Sequence, residues 1–146
     1  MLKSDYDGQE CSIARALEIV GERWTLLIVR DVFLGLRRFD QLHESLGIAR
    51  NVLTDRLSKL VEAGILERVR YSERPERFEY RLTDKGIELN LALTGLRQWG
   101  DKYLSKRPPR VLRRKSDGKP VIAALVLEGA RVLRPDEVES VAGPLH

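Results

Sequence analysis

The stretch FDQLHESLGIARNVLTDRLSKLVEAG, residues 39–64, decides the fold. Its first eight residues repeat apolar side chains at the spacing of an amphipathic helix, and Gly47 ends that helix. A tight turn at Gly47-Ile48 leads into a second helix, which Gly64 ends. The inward stripe of the second helix consists of Leu53, Leu57, Leu60 and Val61. Two helices joined in this way predict a helix-turn-helix.

The second helix of this pair turns a polar stripe outward, because successive side chains step by about 100°. Its N-terminal turn carries Arg50, Asn51 and Thr54. Such a turn can enter the major groove of DNA, where Asn reads adenine, Arg reads guanine and Thr contacts a base or a phosphate. Any surface helix also shows a polar face, so the stripe alone leaves both interpretations open. The outward residues beyond that turn are Asp55, Ser58, Lys59 and Glu62.

A charged hairpin follows at once. The segments ILERVRY and RFEYRL alternate apolar and polar residues, as half-buried strands do, and Pro75 marks the loop between them. A helix-turn-helix followed by such a ribbon predicts a winged helix, whose wing lies against the sugar-phosphate backbone. Residues 67–79 hold four arginines and four glutamates. This balance predicts a wing that positions Arg74 and Arg77 more than it adds bulk attraction.

Helices are predicted on both sides of this unit. Ser12 is the expected N-cap of a first helix that ends at Val20, and a second, from Trp24 to Leu34, is apolar almost all round and forms the buried centre. After the hairpin, a helix from about Asp84 to Tyr103 starts at Thr83. One side of this helix carries Ile87 and Leu91, and another carries Leu89, Leu93, Leu96, Trp99 and Tyr103.

Two apolar sides on the last helix favour a homodimer. One small domain can bury only one of them, so the second set is expected to pack on another copy of the chain. A C-terminal tail that covers the helix is the competing explanation. The tail begins with six basic residues and no acidic one between Lys106 and Lys115, which predicts a linker. VIAALVLEGARVL then predicts two short strands about a turn near Glu128-Gly129.

Composition narrows the function classes. The 146 residues carry a net charge of +4 and a pI near 9.4, which favours a polyanionic partner. No signal-like start and no long apolar run are found, so a cytoplasmic protein with no membrane partner is expected. A single cysteine and two histidines, His43 and His146, predict neither a metal site nor another cofactor. A phosphate loop and a nucleophile elbow are both missing, so no enzyme is predicted.

From about Cys11 to Tyr103 the chain resembles the HxlR-type winged helix-turn-helix transcriptional regulators. The matching features are a cysteine at the start of the first helix, the GERWT junction, and the segments RRFDQL, LTDRLSKLVEAGILER, YRLTDKG and LRQWG. The resemblance implies a homodimeric regulator that binds double-stranded DNA, often as a repressor near its own promoter. The residues that it implies for DNA binding are Arg37, Arg38, Arg50, Asn51, Thr54, Arg56, Lys59, Arg74 and Arg77.

The expected fold is mainly α with a small β-hairpin wing, an α+β winged helix-turn-helix that dimerises through its terminal helices. Residues 1–104 are expected to form the DNA-binding and dimerisation domain, residues 105–118 a basic linker, and residues 119–146 a small β-hairpin extension. Arg56 lies near the edge of the buried stripe, so a structural ion pair and a phosphate contact both stay open for it.

Cys11 leaves two interpretations open. In some members of the family, the cysteine at this place senses oxidants or electrophiles, and a thiol at a helix N-terminus can gain thiolate character. The family commonly has Cys-Pro where this chain has Cys11-Ser12, and a small space-filling residue is the alternative. Either an oxidant or a small-molecule ligand is therefore a possible effector. A winged helix that docks a protein instead of DNA is a further alternative, motivated by Asp55 and Glu62 on the outward face.

Overall fold

A computed structural model describes residues 5–143, and the chain divides between Ile87 and Glu88 into two compact units. This division lies inside the helix predicted from Asp84 to Tyr103, earlier than the expected domain boundary at residue 104. The elements of the first unit are α1 (Ser12–Val20), α2 (Thr25–Phe33), α3 (Phe39–Leu46), α4 (Arg50–Glu62), β1 (Leu66–Glu73), β2 (Glu76–Leu82) and α5 (Asp84–Ile87). The order helix-turn-helix, then hairpin, confirms the predicted winged helix.

The core of the first unit forms between α2, α3, α4 and the base of the hairpin. The predicted inward stripe of α4 is confirmed for Leu53, Leu57 and Leu60, which are buried, whereas Val61 is half-buried at the edge. Helix α2 is the buried centre, as its nearly continuous apolar sequence predicts. The other buried apolar residues are Ile28, Val29, Val32, Leu42, Ile48, Ile65 and Leu66.

A buried carboxylate joins α2 to α3. The side chain of Asp31 is 2% exposed, and its Oδ1 accepts a hydrogen bond from Nε of Arg30 at 2.8 Å. Its Oδ2 accepts a hydrogen bond from the hydroxyl of Ser45 at 2.7 Å. Because a buried charge is tolerated only with close partners, these contacts fix the position of α3 against α2.

The wing is a tight antiparallel hairpin. Strand β1 pairs with β2 from Leu66 opposite Leu82 to Glu73 opposite Glu76, with an irregularity between Arg70 and Ser72. Pro75 lies in the two-residue loop, as predicted. The backbone N–H of Tyr80 donates to the carbonyl of Arg37 at 2.7 Å, so β2 is tied to the turn before α3.

Helix starts show one confirmed and one wrong prediction. The hydroxyl of Thr83 accepts a hydrogen bond from the backbone N–H of Gly86 at 3.1 Å and so caps α5. Ser12, in contrast, is the first helical residue of α1, and the extended Cys11 before it occupies the capping position without a side-chain hydrogen bond. The prediction for Ser12 is therefore wrong by one residue, because the chain becomes helical earlier than the serine-cap pattern indicates.

The second unit begins at the interruption of the predicted long helix. Glu88 and Leu89 form a turn, and α6 runs from Asn90 to Tyr103. Gly86 offers a local reason for the break, because glycine weakens a helix by about 1 kcal/mol relative to alanine. A helix that could cross a membrane is absent from residues 5–143.

The C-terminal extension forms a two-stranded antiparallel sheet, but not where the sequence predicts it. Strand β3 (Arg110–Arg114) lies within the expected linker and pairs with β4 (Val138–Ala142), which follows a short 3-10 helix (Pro135–Glu137). The two strands expected on either side of Glu128-Gly129 are wrong, since that segment holds only a turn. The last three residues of the predicted extension lie outside the described residues.

The basic run forms a strand, and two of its cations pair with carboxylates, one of them distant in sequence. Arg113 pairs with Glu139 across the sheet, with Nε and Oε1 2.8 Å apart. Nε of Arg114 donates to Oδ1 of Asp117 at 2.9 Å. Hydrogen bonds from Arg114 and from the backbone N–H of Lys119 lower the pKa of Asp117 to about 2. Two of the six cations of this run are therefore paired with carboxylates.

We expect Ser45→Ala to lower the free energy of unfolding by about 1–3 kcal/mol, because it leaves the buried Asp31 carboxylate short of a donor. Urea unfolding at neutral pH measures this change. The matched control is Ser58→Ala, the same substitution on the exposed face of α4, which should change the free energy by less than about 0.5 kcal/mol. Equal effects of the two substitutions would contradict the role given to Ser45.

Candidate nucleic-acid interface

The N-terminal turn of α4 is an exposed part of the helix-turn-helix. Arg50, Asn51 and Thr54 are exposed there, as predicted from their spacing. The residue before the helix, Ala49, has no side chain that can cap it, so the first backbone N–H groups remain available to an anion. The guanidinium carbon of Arg50 lies 5.8 Å from the ring centroid of Phe39, which places this cation beside the start of α3.

The turn before α3 brings two more cations to the same motif. The backbone N–H groups of Arg37 and Arg38 both donate to Oε1 of Gln41 at 3.1 Å, which satisfies two donors at the helix start. The guanidinium of Arg38 lies 5.0 Å from the ring centroid of Tyr71 on the wing. Both arginines are exposed, and within residues 5–143 neither forms an ion pair.

The tip of the wing presents Arg74 and Arg77. Both are exposed, and neither takes part in an ion pair in the part of the chain that the structure describes. Glu76 pairs with Arg70, with Oε2 and Nη2 3.1 Å apart. Glu73 lies directly opposite Glu76 in the strand register, so two carboxylates flank the arginines of the tip.

Two of the predicted DNA-binding cations are held in an ion-pair network instead. Nη1 of Arg56 lies 3.1 Å from Oε2 of Glu22, and Nζ of Lys59 lies 2.7 Å from Oε1 of the same residue. Lys59 also lies 3.3 Å from Oδ2 of Asp55, which pairs with Arg56 as well. In addition, Nε of Arg56 donates to the backbone carbonyl of Arg23 at 3.1 Å. Of the two interpretations left open for Arg56, the structure favours the structural ion pair.

The network shifts the pKa values of Lys59 and Asp55. Hydrogen bonds to Glu22 and Asp55 raise the pKa of Lys59 above its ordinary value. Desolvation favours the neutral form of Asp55, but the hydrogen bonds from Arg56 and Lys59 outweigh it and lower the pKa of that carboxyl. Both shifts favour the charged forms of Lys59 and Asp55. Two carboxylates motivated the protein-docking alternative. Asp55 is ion-paired within its own chain, whereas Glu62 is exposed on the outward face of α4.

Sequence reasoning missed Glu22 and Gln41. Glu22 belongs to the GERWT junction, which carried the family resemblance but received no role of its own. Gln41 stands at the third position of α3, where a side chain that reaches back to the helix start is common. That position was a usable signal for Gln41, whereas the pairing of Glu22 joins residues 37 positions apart and had none.

The predicted dimerisation residues are largely exposed on α6. Within this helix, which the structure describes in full, no residue is buried. Leu96, Trp99 and Tyr103 are 56%, 58% and 62% exposed, whereas Leu89 and Leu93 are half-buried. Leu91, which was assigned to the inward side with Ile87, is exposed, and that assignment is wrong because the helix is interrupted between the two residues.

The C-terminal tail contacts α6 but leaves its apolar side uncovered. The side-chain amide of Gln98 donates to the carbonyl of Ala123 at 3.0 Å and accepts from its N–H at 2.9 Å. These two hydrogen bonds hold the tail at one point, yet Leu96, Trp99 and Tyr103 remain exposed. Tail coverage, the competing explanation for the apolar side of α6, is therefore not what this structure has.

Cys11 lies at the start of α1 and is exposed. Its backbone N–H donates to the carbonyl of Gln9 at 2.9 Å, and its carbonyl accepts from the N–H of Arg15 at 3.0 Å. The side chain thus stands in solvent, while the backbone is fixed by the helix. Within the single chain, Cys11 therefore does not fill buried space. Its exposed thiol is compatible with either a reactive or an inert role. Among residues 5–143, no group of side chains is arranged to hold a metal ion.

Residues 19–108 match the family model described as HxlR-like helix-turn-helix. The chain belongs to this family. An uncharacterized HTH-type transcriptional regulator of Mycobacterium tuberculosis is 52% identical over 120 residues, which cover 81% of this chain and 75% of the relative. The HTH-type transcriptional regulator YodB of Bacillus subtilis is 32% identical over 89 residues, which cover 60% of this chain and 80% of YodB.

Solved structures of HxlR-like and related regulators share the fold. The crystal structure of PA1607, a proposed transcription factor, superposes with a TM-score of 0.74 at 39% identity and covers 87% of this chain and 96% of its own. The reduced form of YodB superposes with a TM-score of 0.57 at 30% identity, over 66% of this chain and 96% of YodB. This member of the HxlR-like family is a DNA-binding transcriptional regulator with a winged helix-turn-helix. Its relatives are regulators, and no enzyme is among those named.

We expect Glu73→Lys to raise the affinity for random duplex DNA more than the affinity for the operator, because it removes a carboxylate that flanks Arg74 and Arg77. The slope of log affinity against log salt should steepen by roughly 0.9 for each added phosphate contact. Fluorescence anisotropy at several salt concentrations measures both quantities. The control is Glu128→Lys, which makes the same charge change outside the winged-helix unit. Equal slopes for the two variants would contradict a local role of the wing carboxylates.

Proposed function

We propose that this regulator binds a pseudo-palindromic operator as a homodimer and represses transcription. The observation that carries the proposal is the exposed N-terminal turn of α4, which presents Arg50 and Asn51 next to the start of α3, where Arg37 and Arg38 form no ion pair within residues 5–143. A repressor of this kind occupies its operator and excludes the transcription machinery from an overlapping promoter. Two recognition helices of a dimer would lie about 34 Å apart, one turn of DNA.

Each cation near α4 is given a specific role. Arg50 reads guanine and Asn51 reads adenine in the major groove, since these are the pairings that their side chains support. Arg37 and Arg38 contact phosphates at the start of α3, and Arg74 and Arg77 contact the backbone or the minor groove from the wing. Thr54 donates its hydroxyl proton to the carbonyl of Arg50 at 2.9 Å, so its oxygen is left as an acceptor for a base donor and not as a donor to a phosphate. Arg56 and Lys59 are not assigned to phosphate, because both are held by Glu22.

The exposed apolar side of α6 supports the homodimer. Leu96, Trp99 and Tyr103 lie on one side of the helix, and the rings of Trp99 and Tyr103 are 5.5 Å apart. A contiguous apolar surface of this kind on a soluble protein marks an interaction site. A two-fold axis would bring the same helix of another copy against it, so that one surface serves both partners.

Selection of DNA fragments by the purified protein, followed by sequencing, tests operator binding. We expect enriched fragments to share an inverted repeat with half-sites 10–10.5 base pairs apart from centre to centre. Arg50→Ala and Asn51→Ala should each weaken binding to the enriched sequence by about 1–3 kcal/mol and relax the preference at one position of each half-site. Fragments without a shared sequence, or unchanged affinity of both variants, would refute sequence-specific binding.

A variant in α6 tests the proposed dimer interface independently of the surface that reads DNA. Leu96→Asp places a charge on the exposed apolar side of α6, and light scattering should then report a monomer. This monomer should lose affinity for the full inverted repeat but retain the base preference of a half-site. If it stays dimeric, the α6 surface is not the dimer interface. If Arg50→Ala instead abolishes the co-purification of a partner protein in pull-downs and leaves DNA affinity unchanged, the protein-docking alternative is favoured.

We also propose that Cys11 responds to oxidants or electrophiles. The proposal is supported by the exposure of the thiol and by the relative YodB, which has been solved in reduced, diamide-treated and quinone-bound forms. Because the chain has a single cysteine, a disulfide requires the Cys11 thiols of two chains. Diamide would accept two electrons and two protons from that pair. A quinone would instead add to one thiolate through a ring carbon, and the added proton would complete the hydroquinone.

Diamide treatment of the wild type should lower operator affinity by about 5–150-fold, the usual range of coupling between two sites. A non-reducing gel should show a covalent dimer, and dithiothreitol should restore both properties. Cys11→Ser is the matched control and should keep its affinity under the same treatment. If both proteins respond equally, Cys11 senses nothing, and a ligand that binds without covalent chemistry becomes the preferred effector.

A further inference from the structure

Glu22 joins the α1–α2 junction to the recognition helix α4. Its two carboxylate oxygens contact different cations, Nη1 of Arg56 at 3.1 Å and Nζ of Lys59 at 2.7 Å. Arg56 and Lys59 stand three positions apart, so they occupy adjacent places on one face of α4. The backbone carbonyl of Arg23 accepts a further hydrogen bond from Nε of Arg56 at 3.1 Å. Two consecutive residues of the junction therefore hold one turn of the recognition helix.

This contact accounts for two of the three cations of α4. Arg56 and Lys59 face the carboxylates of Glu22 and Asp55, so two positive and two negative charges form a neutral group. Arg50 is the third cation, and along the whole of α4, which the structure describes, it is the one without an ion pair. A phosphate that approached Lys59 would have to compete with two carboxylates already within 3.3 Å of its nitrogen.

The stability of the fold gives little reason for this arrangement. The side chains of Lys59 and Glu22 are 51% and 42% exposed, and ion pairs between exposed side chains add little to stability. The same charges matter more for binding to DNA, because each additional cation that reaches a phosphate raises affinity for every sequence alike. The network therefore has a larger effect on which cations are available to DNA than on folding.

We propose that Glu22 is a specificity-determining positioning residue, which withholds Arg56 and Lys59 from the DNA backbone so that recognition depends on Arg50 and Asn51. The proposal rests on α4 as the recognition helix. Glu22 need not touch DNA in this role. It acts through the two cations that it holds. These contacts also fix the rotation of α4 about its own axis relative to the α1–α2 junction.

The test is Glu22→Gln, which keeps the size of the side chain and removes its charge. Affinity for random duplex should rise, and the slope of log affinity against log salt should steepen by roughly 0.9–1.8 as one or two cations are released. Affinity for the selected operator should rise less, so the ratio of operator to random affinity should fall. A merely structural residue would lower both affinities and leave the salt slope unchanged.

Glu62→Gln is the matched control for charge. It removes the same charge at the C-terminal end of α4, where Glu62 is exposed and, within residues 5–143, forms no ion pair. Its effect on the salt slope should be less than half that of Glu22→Gln. Equal slopes for the two variants would overturn the proposal, because net charge alone would then explain the result. Thermal unfolding of each variant verifies that it is folded.

A second comparison identifies the released cation. Lys59→Gln alone should leave random-duplex affinity and its salt slope close to those of the wild type, since Lys59 is already engaged. Added to Glu22→Gln, it should reduce the steepened slope by roughly 0.9. A large loss of affinity from Lys59→Gln alone would show that Lys59 already contacts DNA, and the proposal would fail. If Arg50→Ala has no effect on DNA binding, the assignment of α4 fails instead, and the two failures are distinguishable.

Discussion

The buried carboxylate of Asp31 is the constraint on which the helix-turn-helix depends. An isolated charge inside a protein costs several kcal/mol, so the fold is stable only if donors from neighbouring elements reach it. Arg30 supplies one from the same helix, and Ser45 supplies another from α3. Because Ser45 stands in the last turn of α3, two residues before Gly47, this hydrogen bond anchors the end of α3 to α2. The placement of the helix that precedes the recognition helix thus follows from a polar contact as well as from apolar packing.

Helix α4 is then held along two of its sides. Leu53, Leu57 and Leu60 pack into the core, and Glu22 holds two cations at the edge of that buried stripe. The N-terminal turn is the part that remains free of such contacts. The wing is fixed to the same frame, because the N–H of Tyr80 donates to the carbonyl of Arg37 at the start of α3. A base-reading turn carried on a rigid support places its side chains precisely enough to discriminate between sequences.

The sequence predicted those features that depend on neighbours along the chain. Helical spacing predicted the bounds of α3 and the buried stripe of α4, and Pro75 predicted the loop of the wing. The failure in the C-terminal extension comes from pairing between residues far apart in sequence. Arg113 belongs to a run whose local sequence predicts a linker, because its partner Glu139 is distant in sequence. The exposure of Leu91 was missed for a different reason, because an ideal helix drawn through Glu88 ignores the turn there.

The same reasoning applies to the charges that face DNA. A pI near 9.4 and a list of basic residues suggest a surface that attracts DNA at many points, but only unpaired cations release counterions efficiently when they bind. Arg56 and Lys59 are basic in sequence and neutralised in the fold, whereas Arg37, Arg38, Arg50, Arg74 and Arg77 form no ion pair within residues 5–143. Net charge therefore overstates the non-specific attraction of this chain. Among the predicted DNA-binding cations, those without an ion pair within residues 5–143 belong to three places on one motif, the start of α3, the start of α4 and the tip of the wing, and this distribution favours discrimination between sequences over general affinity for DNA.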